Sequence, residues 1–223
     1  MTLPAAPLRP LPQPPPLIAQ GLRRRLVRLL RAAHAGERAA ALAYRGHARS
    51  VTDPAQAGMI RRIEAEEWAH RARLGAMLQE QGSTPARWRE VIFQAIGLTL
   101  GAACRWSGWY LPMYGAGWIE AINVQEYLTA AALAATCAEH GYAAELLLMA
   151  QCEREHEAYF RGLVAGCWQT RWLGLWRAPP APPEVGVAAV VPTPVGAVLA
   201  PGAPETVYLP AAPAVVVGAA AGP

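Results

Sequence analysis

Apolar residues recur at alternating steps of three and four in four long segments of the chain, which is the spacing of a buried stripe on a helix. These segments cover residues 22–50, 52–82, 112–141 and 141–176. A further segment from Thr84 to about Trp106 contains an uncharged apolar run of 14 residues, 91–104. No strand-like alternation of any length competes with these helices. The pattern predicts an all-α four-helix bundle with a long apolar crossing helix between the second and third bundle helices.

Acidic residues and histidines interrupt the apolar stripes at matching places. In the second helix the stripe through Ile63 and Leu74 leaves two inward places, and the fourth helix leaves two places in the same register. The first and third helices each have one such place. In both halves of the chain a lone Glu is followed, about 30 residues later, by Glu-x-x-His. The six inward polar residues are Glu37, Glu67, His70, Glu120, Glu153 and His156.

Four carboxylates on inner faces that carry no Lys or Arg would repel one another unless cations lie among them. Two divalent metal ions would balance this charge. Carboxylate oxygens with one imidazole per metal ion favour iron or manganese, and no thiolate is available on these stripes to favour zinc or copper. The alternative is a core in which the same groups form buried salt bridges or contain neutral histidines.

Proline separates the ends of the chain from its centre. Residues 1–20 hold seven prolines and residues 178–223 hold eleven, a density that supports neither helix nor central strand. We therefore expect a Pro-rich disordered N-terminal tail at 1–20, a helical domain at 21–177, and an Ala/Val/Pro-rich disordered C-terminal tail at 178–223.

The net charge of +4 comes entirely from arginine, since the chain has no lysine. An arginine cluster at the start of the first helix suits anionic lipid headgroups or nucleic acid, or is simply a solvated helix face. The four cysteines show no Cys-x-x-Cys spacing, and we find no secretory signal, so that we expect reduced thiols in the cytosol. The apolar run is shorter than the roughly 20 residues that span a bilayer. The cluster consists of Arg23, Arg24, Arg25, Arg28 and Arg31.

Several motifs together resemble the demethoxyubiquinone hydroxylase family of ubiquinone biosynthesis. They are the run HAGE at 34–37, Glu67-x-x-His70, LGA at 100–102, Glu120 and Glu153-x-x-His156. The resemblance covers roughly residues 30–165. It implies a ferritin-like di-iron fold on the membrane surface, which uses dioxygen and reducing equivalents to hydroxylate a polyprenyl benzoquinone. It also implies that the six inward residues bind two iron ions, replaceable by manganese in vitro, with Glu67 and Glu153 as the bridging pair.

The chain departs from the family's pattern at three places. Ala33 stands where the family has Asp before HAGE, and Glu126–Tyr127 stands where it has His–Tyr. Before the crossing helix the family has Arg-Pro-Thr, whereas residues 83–85 of this chain are Ser-Thr-Pro and match it only loosely. These differences bear on the substrate and the reductant more than on the metal ions, so that a different quinone-like substrate stays open.

Electrons must come from outside the metal site. No Gly-x-Gly-x-x-Gly follows a predicted strand, so that NADH would act without a Rossmann module or a partner reductase would serve. We expect a polyprenyl quinone, a membrane surface, and either quinone-biosynthesis proteins or further copies of the chain as partners, and no nucleic acid.

Aromatic residues flank the third and fourth helices at the same predicted end of the bundle. Such a cluster, with arginines nearby, is typical of a protein at a membrane interface, here the inner face of the cell membrane approached from the cytoplasm. The alternatives are a bundle end covered by its own aromatic side chains and a contact between two copies. The aromatic residues are Trp106, Trp109, Tyr110, Tyr114, Trp118, Trp168, Trp172 and Trp176.

Three further residues lie close to the predicted ligands. Tyr127 and Asn123 lie on the inner stripe of the third helix, where they could contact ligands or merely fill the core. His34 lies one turn before Glu37 but off the stripe, and we expect it beside the site or at the surface.

Other functions use the same scaffold. An iron-oxidising or iron-storage protein would use the same ligands, and a noncatalytic membrane-associated adaptor would keep only the bundle. Hydroxylation of RNA would use the arginines, but the interleaved aromatic residues favour lipid.

Overall fold

A computed structural model describes residues 15–183, which form six helices and no strand. The prediction of an all-helical protein is confirmed, and the arrangement is consistent with a helical bundle. The helices are α1 (Pro16–Ser50), α2 (Pro54–Glu80), α3 (Arg87–Ala103), α4 (Tyr110–Thr136), α5 (His140–Val164) and α6 (Trp168–Leu173).

The ends of the helices follow from local sequence. The Asp53 carboxylate accepts a hydrogen bond from the backbone N–H of Gln56 at 2.8 Å, and Pro54 occupies the first helical position, so that α2 starts there. Gly82 follows the end of α2 with a φ of +65°, a conformation that glycine adopts without strain. α1 begins at Pro16, six residues before the predicted start.

Helices α1 and α2 pack as one hairpin, and α4 and α5 as another. The core between them consists of two apolar clusters, one around Leu30, Leu74 and Leu146 and the other around Ile63 and Phe160. On each long helix the inward polar positions lie between the residues of these two clusters. The polar residues are therefore held in the middle of the bundle with apolar packing on both sides.

The long apolar crossing helix is not found. The segment forms α3, which has only 17 residues, because Pro85 precedes its first turn and the chain leaves the helix at Ala103. α3 packs along α1 and exposes Trp88, Val91 and Leu98 on its other side. Among residues 15–183 no helix is both long enough and apolar enough to cross a bilayer.

Glycines set the contact between α1 and α3. A Cβ atom added to Gly46 would lie 2.3 Å from Gly101 Cα, and one added to Gly97 would lie 2.5 Å from the carbonyl oxygen of Ala39. Real Cβ atoms do not approach other atoms so closely, because the repulsion is too strong. The two backbones can lie this close only because these positions lack side chains.

The fourth predicted helix does not continue to Trp176. α5 ends at Val164, and the chain turns through the short helix α6 and returns to the bundle. The Trp176 indole is buried, donates a hydrogen bond to Glu157 at 2.6 Å and occupies the space beside Gly117. Of the three late tryptophans in the predicted aromatic cluster, Trp168 and Trp172 are exposed, whereas Trp176 is part of the core.

The predicted tails lie almost entirely outside the described residues, and their disorder stays a prediction. Residues 191–223, which form a separate unit, are also outside the described part. Within the arginine cluster, Arg23 donates to Gln81 at 2.6 Å and Arg31 donates to the Thr84 carbonyl at 2.8 Å. These two arginines therefore tie α1 to the end of α2 and the loop that follows it.

Candidate metal centre

The structure brings all six inward polar residues together in the middle of the bundle. They form two overlapping sets, and within each set the candidate ligand atoms all lie within 4.8 Å of one another. Glu67 and Glu153 belong to both sets. The first set is Glu37, Glu67, His70 and Glu153, and the second is Glu67, Glu120, Glu153 and His156.

The cluster contains buried polar atoms that no other described residue satisfies with a hydrogen bond. An unpaired buried polar atom destabilises a fold by about 1–3 kcal/mol, so several in one place indicate a bound ion or shared protons. Carboxylate oxygens and imidazole nitrogens are the ligands that iron and manganese prefer. The atoms are Glu37 Oε2, both oxygens of Glu67 and of Glu153, and the Nδ1 atoms of His70 and His156.

Both imidazoles direct Nδ1 towards the carboxylates. His70 Nδ1 lies 2.9 Å from Glu153 Oε1 but not in the geometry of a hydrogen bond. His156 Nδ1 lies 3.4 Å from Glu67 Oε1 and 3.4 Å from Glu153 Oε2. These nitrogens are thus able to bind a cation located between the two hairpins.

Burial and mutual repulsion act on the carboxyl groups. Burial, together with the charge of neighbouring glutamates, raises the pKa of Glu37 and raises that of Glu67 and Glu120 well above the ordinary range. Burial alone would also raise the pKa of Glu153, but the imidazoles of His156 and His70 outweigh it and hold this pKa below the ordinary value. Positive charge, as protons or as metal ions, must therefore accompany the four carboxylates.

Two tyrosines connect the hairpins through the cluster. The Tyr44 hydroxyl on α1 donates a hydrogen bond to Glu120 on α4, and the Tyr127 hydroxyl on α4 donates to Glu37 on α1. Each tyrosine lies seven residues after the lone glutamate of its own hairpin. The tyrosines thereby fix one oxygen of each lone glutamate, and the second oxygen of Glu37 has no hydrogen-bond partner among the described residues.

The outer nitrogen of His156 also has a partner. Nε2 of His156 lies 2.8 Å from Glu66 Oε2 on α2. The hydrogen bond with His156 lowers the pKa of Glu66, which is therefore an ionised acceptor. Against the effect of burial, Cys152, Glu153 and Glu66 raise the pKa of His156, so that a cation would replace the proton on Nδ1 while Nε2 donates to Glu66. Cys152 on α5 lies against the same nitrogen at 3.5 Å.

The residues that were expected beside the site have different positions. Tyr127 contacts Glu37, and Asn123 donates to Glu120 Oε2 at 3.0 Å. His34 is buried, and its Nδ1 lies 2.8 Å from Glu90, a residue that Arg71 also contacts at 2.6 Å. His34 therefore belongs to an ion-pair network that joins α1, α2 and α3. The surface alternative was wrong because the side chain is buried, and its position beside the site stays a prediction.

The roles of Tyr44 and Glu66 were missed from the sequence. Tyr44 lies on the inner stripe but looks like an ordinary core aromatic, although its spacing from Glu37 repeats that of Tyr127 from Glu120. Glu66 lies about 100° around the helix from Glu67, where the pattern predicts solvent. Its carboxylate reaches the neighbouring hairpin because His156 lies at the edge of the cluster.

A cavity of about 580 Å³ lies between α1, α3 and α4 beside the cluster. Its walls are mostly apolar, with Phe93, Ile96 and Ile119 among them. Tyr44 and Asn123 also line it, and both contact Glu120. A smaller cavity of about 240 Å³ reaches Glu37 and Tyr127 directly. Space for small molecules therefore exists within one side chain of the carboxylates.

The fold and this cluster define a helical bundle whose core is able to hold two metal ions. Residues 24–122 match the model of the family described as ubiquinone biosynthesis protein COQ7. This match confirms the resemblance to that family seen in the sequence. The family acts in ubiquinone biosynthesis. Neither a curated protein nor a solved structure matches the chain.

The family match covers most of the first hairpin, all of α3 and the first half of α4. Glu37, Glu67, His70 and Glu120 lie within it, whereas Glu153 and His156 lie beyond residue 122. The geometry supplies what the match leaves out, because the structure places these last two residues in the same cluster as the first four.

Proposed function

We propose that the chain is a di-iron, dioxygen-dependent monooxygenase that hydroxylates the ring of a polyprenyl benzoquinone, demethoxyubiquinone, in the biosynthesis of ubiquinone. The observation that carries this proposal is the pair of overlapping ligand sets, which share two carboxylates and contain one imidazole each. The family match supports the pathway.

The residues of the cluster fit two iron ions. Glu37 and His70 would bind one ion, Glu120 and His156 the other, and the shared Glu67 and Glu153 would bridge them. When bound, the iron ions supply the activation of dioxygen. In the overall reaction a ring C–H becomes C–OH with one oxygen atom of O₂, and the other atom leaves as water after two electrons and two protons are taken up.

The chain's own residues prepare this site. Tyr44 and Tyr127 hold the lone glutamates in place, and Glu66 holds the His156 ring so that Nδ1 faces the cluster. The apolar clusters above and below exclude water from the centre. The residues therefore keep the ligand geometry rigid and dry before any substrate enters.

The larger cavity is the proposed place for the quinone ring. Its volume of about 580 Å³ falls within the range of about 300–1,000 Å³ that is usual for ligand pockets, and its walls suit an apolar molecule. Contact with Tyr44 and Asn123 places a bound ring one side chain from Glu120.

Exposed apolar side chains surround this cavity and support binding to a membrane surface. α3 exposes Trp88, Val91 and Ile92, and α4 exposes Leu111 and Trp118. Large exposed apolar side chains on two helices that line the cavity favour peripheral attachment to a membrane, here to the inner face of the cell membrane. The polyprenyl tail would remain in the lipid while the ring enters the cavity.

The source of electrons is NADH or a partner reductase. The described residues form helices only, and no nucleotide-binding strand is present among them. Quinone-biosynthesis proteins or a second copy of the chain could occupy apolar surface that the membrane leaves free.

Complementation tests the proposed reaction. The chain is expressed in a ubiquinone-deficient host that lacks its own demethoxyubiquinone hydroxylase, and the lipid extract is profiled by mass spectrometry. We expect restored ubiquinone with the native chain and accumulated precursor with Glu67→Ala. The matched control is Glu155→Ala, which removes an exposed glutamate of α5 and should restore ubiquinone fully.

The outcomes separate the proposed function from its rivals. Iron-loaded protein that restores no ubiquinone would remove demethoxyubiquinone as the substrate, and large soluble assemblies that accumulate iron would favour iron storage. Protein that binds no iron after anaerobic loading would favour a noncatalytic adaptor.

A further inference from the structure

His47 is a buried histidine that the metal centre does not use. It lies on α1, three residues after Tyr44, and only 3% of its surface is exposed. Its Nε2 has no hydrogen-bond partner among residues 15–183. A buried imidazole nitrogen without a partner destabilises the fold, so that its presence requires a reason outside the packing of the bundle.

The position of His47 supplies that reason. The side chain lines the larger cavity, together with Tyr44, whose hydroxyl contacts Glu120. The ring lies parallel to Phe160 at 6.2 Å and to Tyr44 at 6.4 Å between centroids, and both contacts hold it in place. His47 thus presents a fixed polar ring, about one helical turn from a residue that contacts the metal cluster.

The other buried polar groups at this cavity already have partners. The Tyr44 hydroxyl and the Asn123 amide both donate to Glu120. Arg89 and Glu126 also line the cavity, but Arg89 is only half-buried and Glu126 is exposed, so that water can solvate their charges. Among the deeply buried side chains that line the cavity, the His47 imidazole is therefore the group left for a polar atom of a ligand.

The charge of His47 suits an uncharged ligand. Burial lowers the pKa of His47 to about 4, so that the imidazole is neutral at neutral pH and offers one N–H donor and one lone pair. The donor matches the carbonyl oxygen of a quinone, and the acceptor matches the hydroxyl of the reduced ring.

We propose that His47 is a substrate-positioning residue, whose imidazole hydrogen-bonds a ring oxygen of the quinone in the cavity and so fixes which ring carbon faces the metal cluster. The inference rests on the proposed function for the identity of the ligand. It requires only binding of an oxygenated ring, not turnover.

The test compares two probes on the iron-loaded full chain under anaerobic conditions. One probe is a 6-methoxy-3-methyl-1,4-benzoquinone with a single prenyl group at carbon 2, and the other is a prenylated toluene that lacks ring oxygens. Affinities are measured by quenching of tryptophan fluorescence. The variants are His47→Leu and His47→Gln, and the matched control is His140→Leu, which changes an exposed histidine at the start of α5.

We expect His47→Leu to weaken binding of the quinone about five- to tenfold and to leave binding of the toluene unchanged or slightly tighter, because only the quinone loses a hydrogen bond. His47→Gln keeps a donor and an acceptor and should lose less than threefold. His140→Leu should bind both probes like the native chain. An equal loss for both probes would show a merely structural role and overturn the inference.

A second measurement observes the His47 ring of the native chain directly and uses a variant only to assign its signal. The chain has five histidines, so ¹⁵N-imidazole signals of the zinc-loaded protein can be assigned by comparison with His47→Gln. We expect the quinone, but not the toluene, to shift the His47 signal. An unchanged signal at saturating quinone, or a native chain that binds no quinone, would overturn the inference, whereas binding without hydroxylation would count only against the proposed function.

Discussion

The two hairpins of this protein carry the same pattern but surround their histidines differently. In both, a tyrosine seven residues after the lone glutamate crosses to the other hairpin, so that Tyr44 contacts Glu120 and Tyr127 contacts Glu37. The residue before the second glutamate differs: it is Glu66 in one hairpin and Cys152 in the other. Glu66 and Cys152 both lie against the outer nitrogen of His156, at 2.8 and 3.5 Å. Among residues 15–183 no carboxylate lies against the outer nitrogen of His70, although Cys152 and Glu153 raise the pKa of this histidine to about 11 against the effect of burial.

This difference teaches that a repeated sequence pattern does not make two equivalent sites. A carboxylate that accepts from the outer nitrogen makes an imidazole a better ligand than one without such an acceptor. We therefore expect the position at Glu120 and His156 to hold a metal ion more tightly than the position at Glu37 and His70.

The largest expected effect is a difference in iron content between variants of residues that belong to both ligand sets and variants of residues that belong to one. Glu67→Ala and Glu153→Ala each remove a residue of both sets, so that iron content should fall from about two ions per chain to nearly none. Glu37→Ala and Glu120→Ala should each retain about one. Iron is measured in protein purified after anaerobic loading, with Glu155→Ala as control. Equal losses in all four variants would contradict the overlapping sets.

The next effect tests the inequivalence of the hairpins directly. Glu66→Gln removes the ionised acceptor of His156 and should weaken the tighter metal position about 10- to 100-fold. Cys152→Ser should change affinity much less. Competition with a coloured chelator measures both positions in manganese-loaded protein. The comparison fails if the two variants lose affinity equally.

The hairpins also differ at the position ten residues after the lone glutamate, which is His47 in one and Ala130 in the other. This difference should make the stability of the first hairpin depend on pH. Because burial lowers the native pKa of His47 to about 4 from an ordinary 6.5, the unfolded chain binds more protons between these values. The contribution of neutral His47 to the free energy of unfolding is therefore fully present above about pH 6.5. It falls as the pH drops towards 4, by about 2 kcal/mol at pH 5.

Urea denaturation at several pH values, with a chelator present, measures this contribution. The native chain should lose about 2 kcal/mol more than His47→Leu between pH 7.5 and 5. Parallel pH profiles of the two proteins would show that His47 is not held neutral by burial.

The smallest effect concerns the feature that the hairpins share. Tyr44→Phe and Tyr127→Phe each remove one buried hydrogen bond to a lone glutamate and should lower the free energy of unfolding by about 1 kcal/mol. Because the two contacts are reciprocal, the losses should agree closely. A strongly unequal pair of values would indicate that one tyrosine packs without its hydrogen bond.

The periodicity of the sequence predicted which residues face inward, and this was enough to bring six distant residues into one cluster. It could not predict partners across helices, because the stripe gives the face of a helix but not its rotation against a neighbour. The contacts from Tyr44 to Glu120 and from Glu66 to His156 depend on that rotation. The buried position of Trp176 was missed for a related reason, since a chain reversal after α5 leaves no periodic signal.

The length of α3 was overestimated because an uninterrupted run of apolar residues was taken to mean an uninterrupted helix. The prolonged apolar run contains the glycines that bring α3 against α1, and those positions carry packing information that hydropathy does not show. The residues of the metal cluster were predicted correctly, by contrast, because the spacing of residues within each helix determines which side chains face inward.

α1 and α3 approach each other closely at Gly46, Gly97 and Gly101, so that side chains added at these positions would change the width of the larger cavity. Both helices line the cavity, so that a methyl group at Gly97 would push one wall outward without touching a bound ring. Engineering this protein towards bulkier rings should therefore begin at positions that contact no ligand, where one added carbon atom changes the distance between two backbones.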